Sequence, residues 1–174
     1  MSRTLLWNTE DDTRHCAGAL AQCPAVGNAF IALHGELGAG KTSFVRHLLR
    51  ALGVSGRIKS PTYAVVEPHR GHAPSRDSLH SHALDIWHFD FYRFDDPREW
   101  EDAGFRELFA SPGLKLAEWP EKAAAVLPTA DLDITLSVRD DETRQVGLQP
   151  HTATGRALAE AMASAVPPAQ GHPR

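Results

Sequence analysis

Eight consecutive residues, Gly35-Glu36-Leu37-Gly38-Ala39-Gly40-Lys41-Thr42, have the types and spacing to do chemistry on a phosphate. They satisfy G-x-x-x-x-G-K-[ST] at every fixed position, the pattern of a P-loop whose successive backbone N–H groups form a concave nest for phosphate oxygens. Its glycines tolerate strained dihedrals and leave room for the ligand. A helix starting at the end of the loop aims the positive end of its dipole at the same place. In such a loop the Lys41 ammonium reaches the β- and γ-phosphates and the Thr42 hydroxyl takes a position on Mg²⁺. The stretch from Glu36 through Leu37, Gly38, Ala39, Gly40, Lys41 and Thr42 to Ser43 is therefore the candidate binding segment for a nucleotide such as ATP.

Two acids extend this candidate site. Asp90 closes the alternating run Leu84-Asp85-Ile86-Trp87-His88-Phe89-Asp90, and Glu118 closes the short strand Leu114-Lys115-Leu116-Ala117-Glu118. In open α/β sheets ligands gather at the carboxyl ends of strands, which is also where a P-loop begins. Magnesium on a nucleotide takes hard oxygen ligands, commonly a P-loop hydroxyl and one carboxylate with several waters kept. Glu118 is the candidate metal ligand or water-orienting acid, and Asp90 shares that role or positions the attacking water. The competing reading is that each acid merely caps a strand or pairs with an arginine. Arg93 could stabilise transferring phosphate charge, or equally pair with Asp95 or Asp102; Arg57 and Lys59 read as solvated, with contact to phosphate or a partner as the weaker alternative. His69, His72, His80 and His82 cluster around one polar segment, but without compact ligand spacing or a cysteine among them they do not make a zinc site. Trp87 and Trp100 read as core; Trp119, beside Glu118, stands apart from them.

These groups need a scaffold. Ala29–His34 reads as a buried strand leading into the loop, and Ser43–Leu52 as the helix after it, stopped by Gly53. Upstream, Thr9-Glu10-Asp11-Asp12 has the form of a capping box, opening a helix to about Cys23 that buries Cys16, Ala19 and Leu20 and ends before Pro24. Arg57–Tyr63 reads as a loop entering a strand from Tyr63 to Val66, and residues 69–81 as a flexible hairpin tip. Asp96-Pro97-Arg98-Glu99 starts a further helix. Leu132–Val138 alternates cleanly, so one face is wet and the strand is expected to be antiparallel, with Gln145–Gln149 as its partner. A last helix is expected over 154–166 and a frayed, disordered tail over 167–174.

Bulk properties set the frame. At 174 residues the chain suits one compact domain, residues 1–166, with no second independent unit. Its apolar content of 42% and charged content of 23% are those of a soluble globular protein. A net charge of −4 argues against broad binding to DNA or RNA. Two cysteines, Cys16 and Cys23, lie too far apart on one helix face for a disulfide and point to a reducing compartment. With no signal-peptide profile and no membrane-length apolar run, the expected location is cytoplasmic, with no membrane association.

Four segments in order, His34–Thr42, Lys59-Ser60-Pro61-Thr62-Tyr63, His88-Phe89-Asp90-Phe91-Tyr92-Arg93 and Glu118-Trp119-Pro120, closely resemble the TsaE (YjeE) family of bacterial ATPases. The likeness runs from about Leu33 to Pro128, with a weaker echo in the capped N-terminal helix. The resemblance implies an α/β P-loop NTPase fold, a mainly parallel central sheet flanked by helices, with an antiparallel hairpin. It implies ATP hydrolysis with Mg²⁺, in association with the TsaB–TsaD complex that makes threonylcarbamoyladenosine (t6A) at position 37 of tRNA. That hydrolysis is thought to reset the complex between rounds, so tRNA is met only indirectly. Carried onto matching positions, Lys41 holds phosphate, Thr42 and Glu118 bind Mg²⁺, and Asp90 serves hydrolysis or the metal's outer shell. Ser60 to Tyr63, including Thr62, becomes a switch-like loop sensing the γ-phosphate, and Trp119 supports the site or the partner surface. The segment from Thr9 to Asp11 lies toward the adenine, with Asp11 the candidate contact. The histidine-rich stretch 69–82 is longer than the hairpin expected of the family.

A small-molecule P-loop kinase is the main alternative, since loop and length both suit it. Such kinases close an arginine-rich lid, and no arginine cluster lies between Phe105 and Pro128. A GTPase is disfavoured because N-K-x-D is missing from the chain. A non-catalytic nucleotide-gated binding module would differ only in turnover.

Overall fold

The structure is a computed structural model and describes residues 1–77 and 80–166. Its spine is the run Phe30–His34 (β2), whose first four residues are buried on both sides. The other strands are Arg3–Trp7 (β1), Val66–Pro74 (β3), Ser81–Asp90 (β4), Leu114–Glu118 (β5), Leu132–Val138 (β6) and Arg144–Pro150 (β7). The helices are Glu10–Ala21 (α1), Lys41–Ala51 (α2), Pro97–Asp102 (α3), Phe105–Ala110 (α4) and Ala153–Ala165 (α5), with 3₁₀ turns at Pro24–Asn28 and Pro120–Ala123.

The seven strands among the described residues form one sheet in the order β1-β7-β6-β2-β5-β4-β3. The four central strands β6, β2, β5 and β4 run parallel, so the carboxyl ends of β2, β5 and β4 (His34, Glu118 and Asp90) emerge on the same edge. Antiparallel strands finish both sides: β7 and β1 beyond β6, and β3 beyond β4. The alternation of β2 separates two cores. Ile31 and Leu33 face α1, α2 and α5, while Phe30 and Ala32 face an aromatic layer of Phe89, Phe91, Phe94, Trp100 and Phe105. Rings in that layer meet edge-on or stacked, Phe89 with Phe105 at 5.3 Å and Phe91 with Phe94 at 5.4 Å, each such pair contributing about 0.5–1.5 kcal/mol beyond burial.

The helices form where sequence chemistry starts and stops them. Thr9 and Asp12 make the reciprocal capping box of α1, worth about 1 kcal/mol. Its buried face is Thr13, Cys16, Ala17, Leu20 and Ala21, the i, i+3, i+4, i+7, i+8 stripe; Ala17 rather than Ala19 is the inward alanine. Helix α2 buries Phe44, Val45, Leu48 and Leu49 against the sheet. It ends at Leu52, where Gly53 turns the chain at φ +83.

The structure departs from the sequence reading in four further places. Residues 63–65, expected to open a strand, belong instead to a turn, and β3 starts only at Val66. Most of the polar segment 69–81 is regular strand, because β3 and β4 pair continuously from Val66–Phe89 to Pro74–Ser81. Strand β6 is antiparallel only to β7; on its other side it runs parallel to β2, which the wet face of an alternating strand does not reveal. The edge strand β1 had no expectation, since five residues of mixed exposure carry little pattern. The tail 167–174 lies outside the described residues.

Candidate functional site

The loop between β2 and α2 has the geometry of a phosphate nest. Gly35 sits at φ +140 with a hypothetical Cβ only 2.5 Å from the Leu136 carbonyl oxygen, so no side chain fits there. Gly40, at φ +108, is the N-cap of α2, and the first N–H groups of that helix open toward the loop. Beside it lies a cleft of about 300 Å³ lined by the loop and by Ser60, Thr62, Asp90, Tyr92, Glu118 and Trp119.

The register of the sheet puts the two acids side by side. Asp90 and Glu118 are direct partners across β4 and β5, and both are buried. The Thr42 hydroxyl donates to Glu118 Oε1 at 2.7 Å, joining the start of α2 to the end of β5. Asp90 Oδ2 accepts from Ser60 Oγ and Thr62 Oγ1, both at 3.0 Å, and its Oδ1 accepts from the Tyr92 amide. The Asp90 amide also donates to the Val65 carbonyl at 2.8 Å. Val65 is at φ +66, a conformation costly for a β-branched residue and held here by its own N–H bond to Pro61. The turn 60–65 is thus tied to Asp90 by both side chains and backbone.

Lys41 is buried within the loop, its ammonium donating to the carbonyls of Gly35 and Glu36 and lying 4.1 Å from the Trp119 ring centre. Burial pushes the ammonium below its ordinary pKa, against the pull of Glu118, Glu121 and Asp90. Trp119 holds φ +55 and leans on Tyr92 at 5.0 Å. Arg93, weighed equally as a stabiliser of phosphate charge and as a partner of Asp95 or Asp102, has its guanidinium 4.4 Å over Tyr63 and donates to the phenol oxygen at 3.3 Å.

Residues 7–146 match the family described as "Threonylcarbamoyl adenosine biosynthesis protein TsaE". The chain belongs to the TsaE family. Family relatives include the tRNA threonylcarbamoyladenosine biosynthesis protein TsaE of Haemophilus influenzae, 36% identical over 76% of this chain and 77% of the relative. The protein of the same name from Bacillus subtilis is 30% identical over 83% and 84% of the two chains. The crystal structure of YdiB from Bacillus subtilis superposes with a TM-score of 0.68 at 23% identity, covering 94% of this chain and 97% of that one, so the two chains share a fold.

Around this TsaE-family site the donor set fits a nucleotide-bound magnesium. Thr42 and Glu118 present hard oxygens 2.7 Å apart, Asp90 lies alongside, and among the described residues no thiol or imidazole lines the cleft. Elsewhere among the described residues, no group of three or more His, Cys, Asp or Glu side chains is placed to share a metal ion. No described helix is long and apolar enough to cross a membrane.

The N-terminal segment approaches the loop through a neighbour of Asp11. Asp11 pairs with Arg14 at 2.9 Å on the outer face of α1 and is not among the residues lining the cleft. Glu10 instead accepts from Ser43 at 3.0 Å and meets His47 Nε2 at 2.6 Å; His47 first, then Ser43, holds its carboxyl below the usual range. Sequence reasoning placed Glu10 in the segment expected near the adenine but named Asp11 as its contact, and it gave no role to His47 or His88. His88 carried a signal, since it precedes Asp90 by two and so shares its face of β4.

Proposed function

We propose that this TsaE-family chain is a Mg²⁺-dependent ATPase that works with TsaB and TsaD homologues to sustain t6A formation at position 37 of tRNA. The observation that carries the reading is the Thr42–Glu118 bond at the mouth of the P-loop, with Asp90 paired beside Glu118. In this reading the amides from Glu36 to Ser43 bind the phosphates, and Lys41 exchanges its loop carbonyls for the β- and γ-phosphate oxygens. Thr42 and Glu118 hold the magnesium, which supplies charge neutralisation on the phosphates when bound. Asp90 orients the attacking water or the metal's outer shell, while Ser60 and Thr62 hold its carboxylate in place. Trp119 and Tyr92 form the wall of the cleft, where they exclude water or meet a partner. The relatives' names place them in t6A biosynthesis, which supports the same pathway here and a cytoplasmic setting.

The test is multiple-turnover threonylcarbamoylation of tRNA by TsaB, TsaC and TsaD, with this chain added, omitted or replaced by Lys41→Ala. Sustained turnover only with the intact chain is the expected result. Equal turnover in all three reactions, while the chain still hydrolyses ATP, overturns the pathway and calls for a screen of kinase acceptors. Glu118→Ala that keeps full Mg²⁺-ATP turnover would transfer the metal role to Asp90.

A further inference from the structure

His88 lies on β4, two residues before Asp90 and facing the same layer as α2. Its side chain is 0% exposed, and its Nε2 stands 2.6 Å from Glu118 Oε2, the oxygen that Thr42 does not use. His88 Nδ1 is buried with no hydrogen-bond partner among the described residues. One arrangement leaves no buried N–H unpaired: the hydrogen sits on Nε2 and is donated to the carboxylate, and Nδ1 is a bare acceptor.

A carboxylate on a flexible Glu side chain rotates broadly about its last torsion. One bond from Thr42 fixes one oxygen and leaves that rotation open. A second bond, from the opposite side and from a neighbouring strand of the same parallel pair, closes it. Glu118 sits directly across from Asp90, so His88 reaches it diagonally along a register that the β4–β5 ladder holds rigid.

We propose that His88 is a positioning residue for Glu118: its Nε2–H holds Oε2 so that Oε1 is presented, beside the Thr42 hydroxyl, to the magnesium of the bound nucleotide. The proposal rests on the reading of Glu118 as a metal ligand. Partners of this kind behind a metal ligand typically change metal affinity 10–100-fold when removed. A core histidine that merely fills space would not couple to the metal at all.

Two measurements test it. The first is calorimetric ATP binding with and without Mg²⁺ for the wild type, H88L and H88Q, with folding checked by circular dichroism. Leucine fills the volume without a donor, whereas the Gln Nε2 can stand where the imidazole Nε2 stands. The expected result is that the gain in ATP affinity on adding Mg²⁺ falls roughly tenfold or more in H88L and returns to within about threefold of wild type in H88Q. The second is the ¹⁵N NMR tautomer of His88 in wild-type protein free of metal and nucleotide, expected to be Nε2–H. This readout decides the case even if H88L does not fold. A Mg²⁺ gain in H88L equal to that of a Mg²⁺-dependent wild type, or an Nδ1–H tautomer, overturns the positioning role and leaves the ATPase reading standing. A wild type whose ATP binding ignores Mg²⁺ overturns the metal reading of Glu118 and this proposal with it.

Discussion

The Lys41 ammonium lies 4.1 Å from the centre of the Trp119 ring while it donates to the carbonyls of its own loop at Gly35 and Glu36. Phosphate oxygens entering the nest compete with those carbonyls for the same three protons. Binding ATP is therefore expected to move the ammonium relative to the indole and change Trp119 emission. Titrating ATP into wild type and Trp119→Phe checks this, since the change should vanish in the variant despite the three remaining tryptophans. Lys41→Ala should weaken ATP by about 2 kcal/mol, roughly thirtyfold in Kd, the usual scale of a charge-assisted contact. Unchanged affinity in Lys41→Ala would place the phosphates elsewhere.

Behind the loop, Asp133 bridges two histidines, with Oδ1 3.2 Å from His34 Nε2 and Oδ2 2.7 Å from His151 Nε2. The Asp133 hydrogen bond raises the His34 pKa above its ordinary 6.5, in spite of burial. Burial is the largest single influence on Asp133 and pushes its carboxyl up, but the bonds and charges of His34 and His151 outweigh it and bring it below 3.8. A raised histidine contributes stability that is complete below pH 6.5 and fades as pH rises through its folded pKa. A lowered carboxyl contributes stability above pH 3.8 that fades as pH falls through its folded pKa. Asp133→Asn should therefore cost most between about pH 4 and 6.5 and less at pH 8. With a third of His34 open to water, the expected loss at pH 5.5 is about 1 kcal/mol, or roughly 2–4 °C in Tm. Melting curves that differ equally at pH 5.5 and 8 would refute the linkage.

The second half of the chain is fastened by a contact only glycine permits. A Cβ on Gly155 would stand 1.7 Å from the Asp131 carbonyl oxygen, and the same Asp131 bonds the Phe30 amide and the Thr152 hydroxyl through its side chain. Gly155→Ala must push α5 off the strand that flanks β2. The expected loss is at least about 3 kcal/mol, or roughly 6–12 °C in Tm. A shift under about 2 °C would mean that the helix re-seats freely.

Cys16 receives the Trp7 indole N–H at 3.1 Å in the core, and burial pushes its thiol up to about 11. At pH 8 only about one thiol in a thousand is then ionised, so alkylation of the native protein should stop after Cys23, which is half-buried. Both cysteines should react in denaturant. Two fast thiols in native buffer would contradict the packing of α1. Cys16→Ala should cost about 1–3 kcal/mol by stranding the indole donor.

Local chemistry made much of this legible before any fold was known. The capping box at Thr9, the strand into Gly35 and the acids at the ends of β4 and β5 each announce themselves within a few residues. What stayed hidden depends on register and on distant chain. Glu118 and Asp90 were visible as strand ends, but their pairing and the diagonal approach of His88 follow from how β4 and β5 align. Glu10 rather than Asp11 meets Ser43 because the helix phase set by Thr9 turns one side chain toward α2 and its neighbour toward Arg14. The neighbours of β6 could not be read because alternation reports which face is wet, not the direction of the strand alongside.

The strand order has a consequence for how the protein is made. Among the described strands β1 leaves the ribosome before the other six, yet it pairs there with β7, the seventh, and β2 is flanked by β5 and β6, some eighty and a hundred residues downstream. The backbone that cradles Gly35 against Leu136 cannot close until translation has passed the second half of the chain. A nascent chain halted near residue 110 therefore exposes β2 with both edges open, an apolar ribbon for which a chaperone is the natural cover.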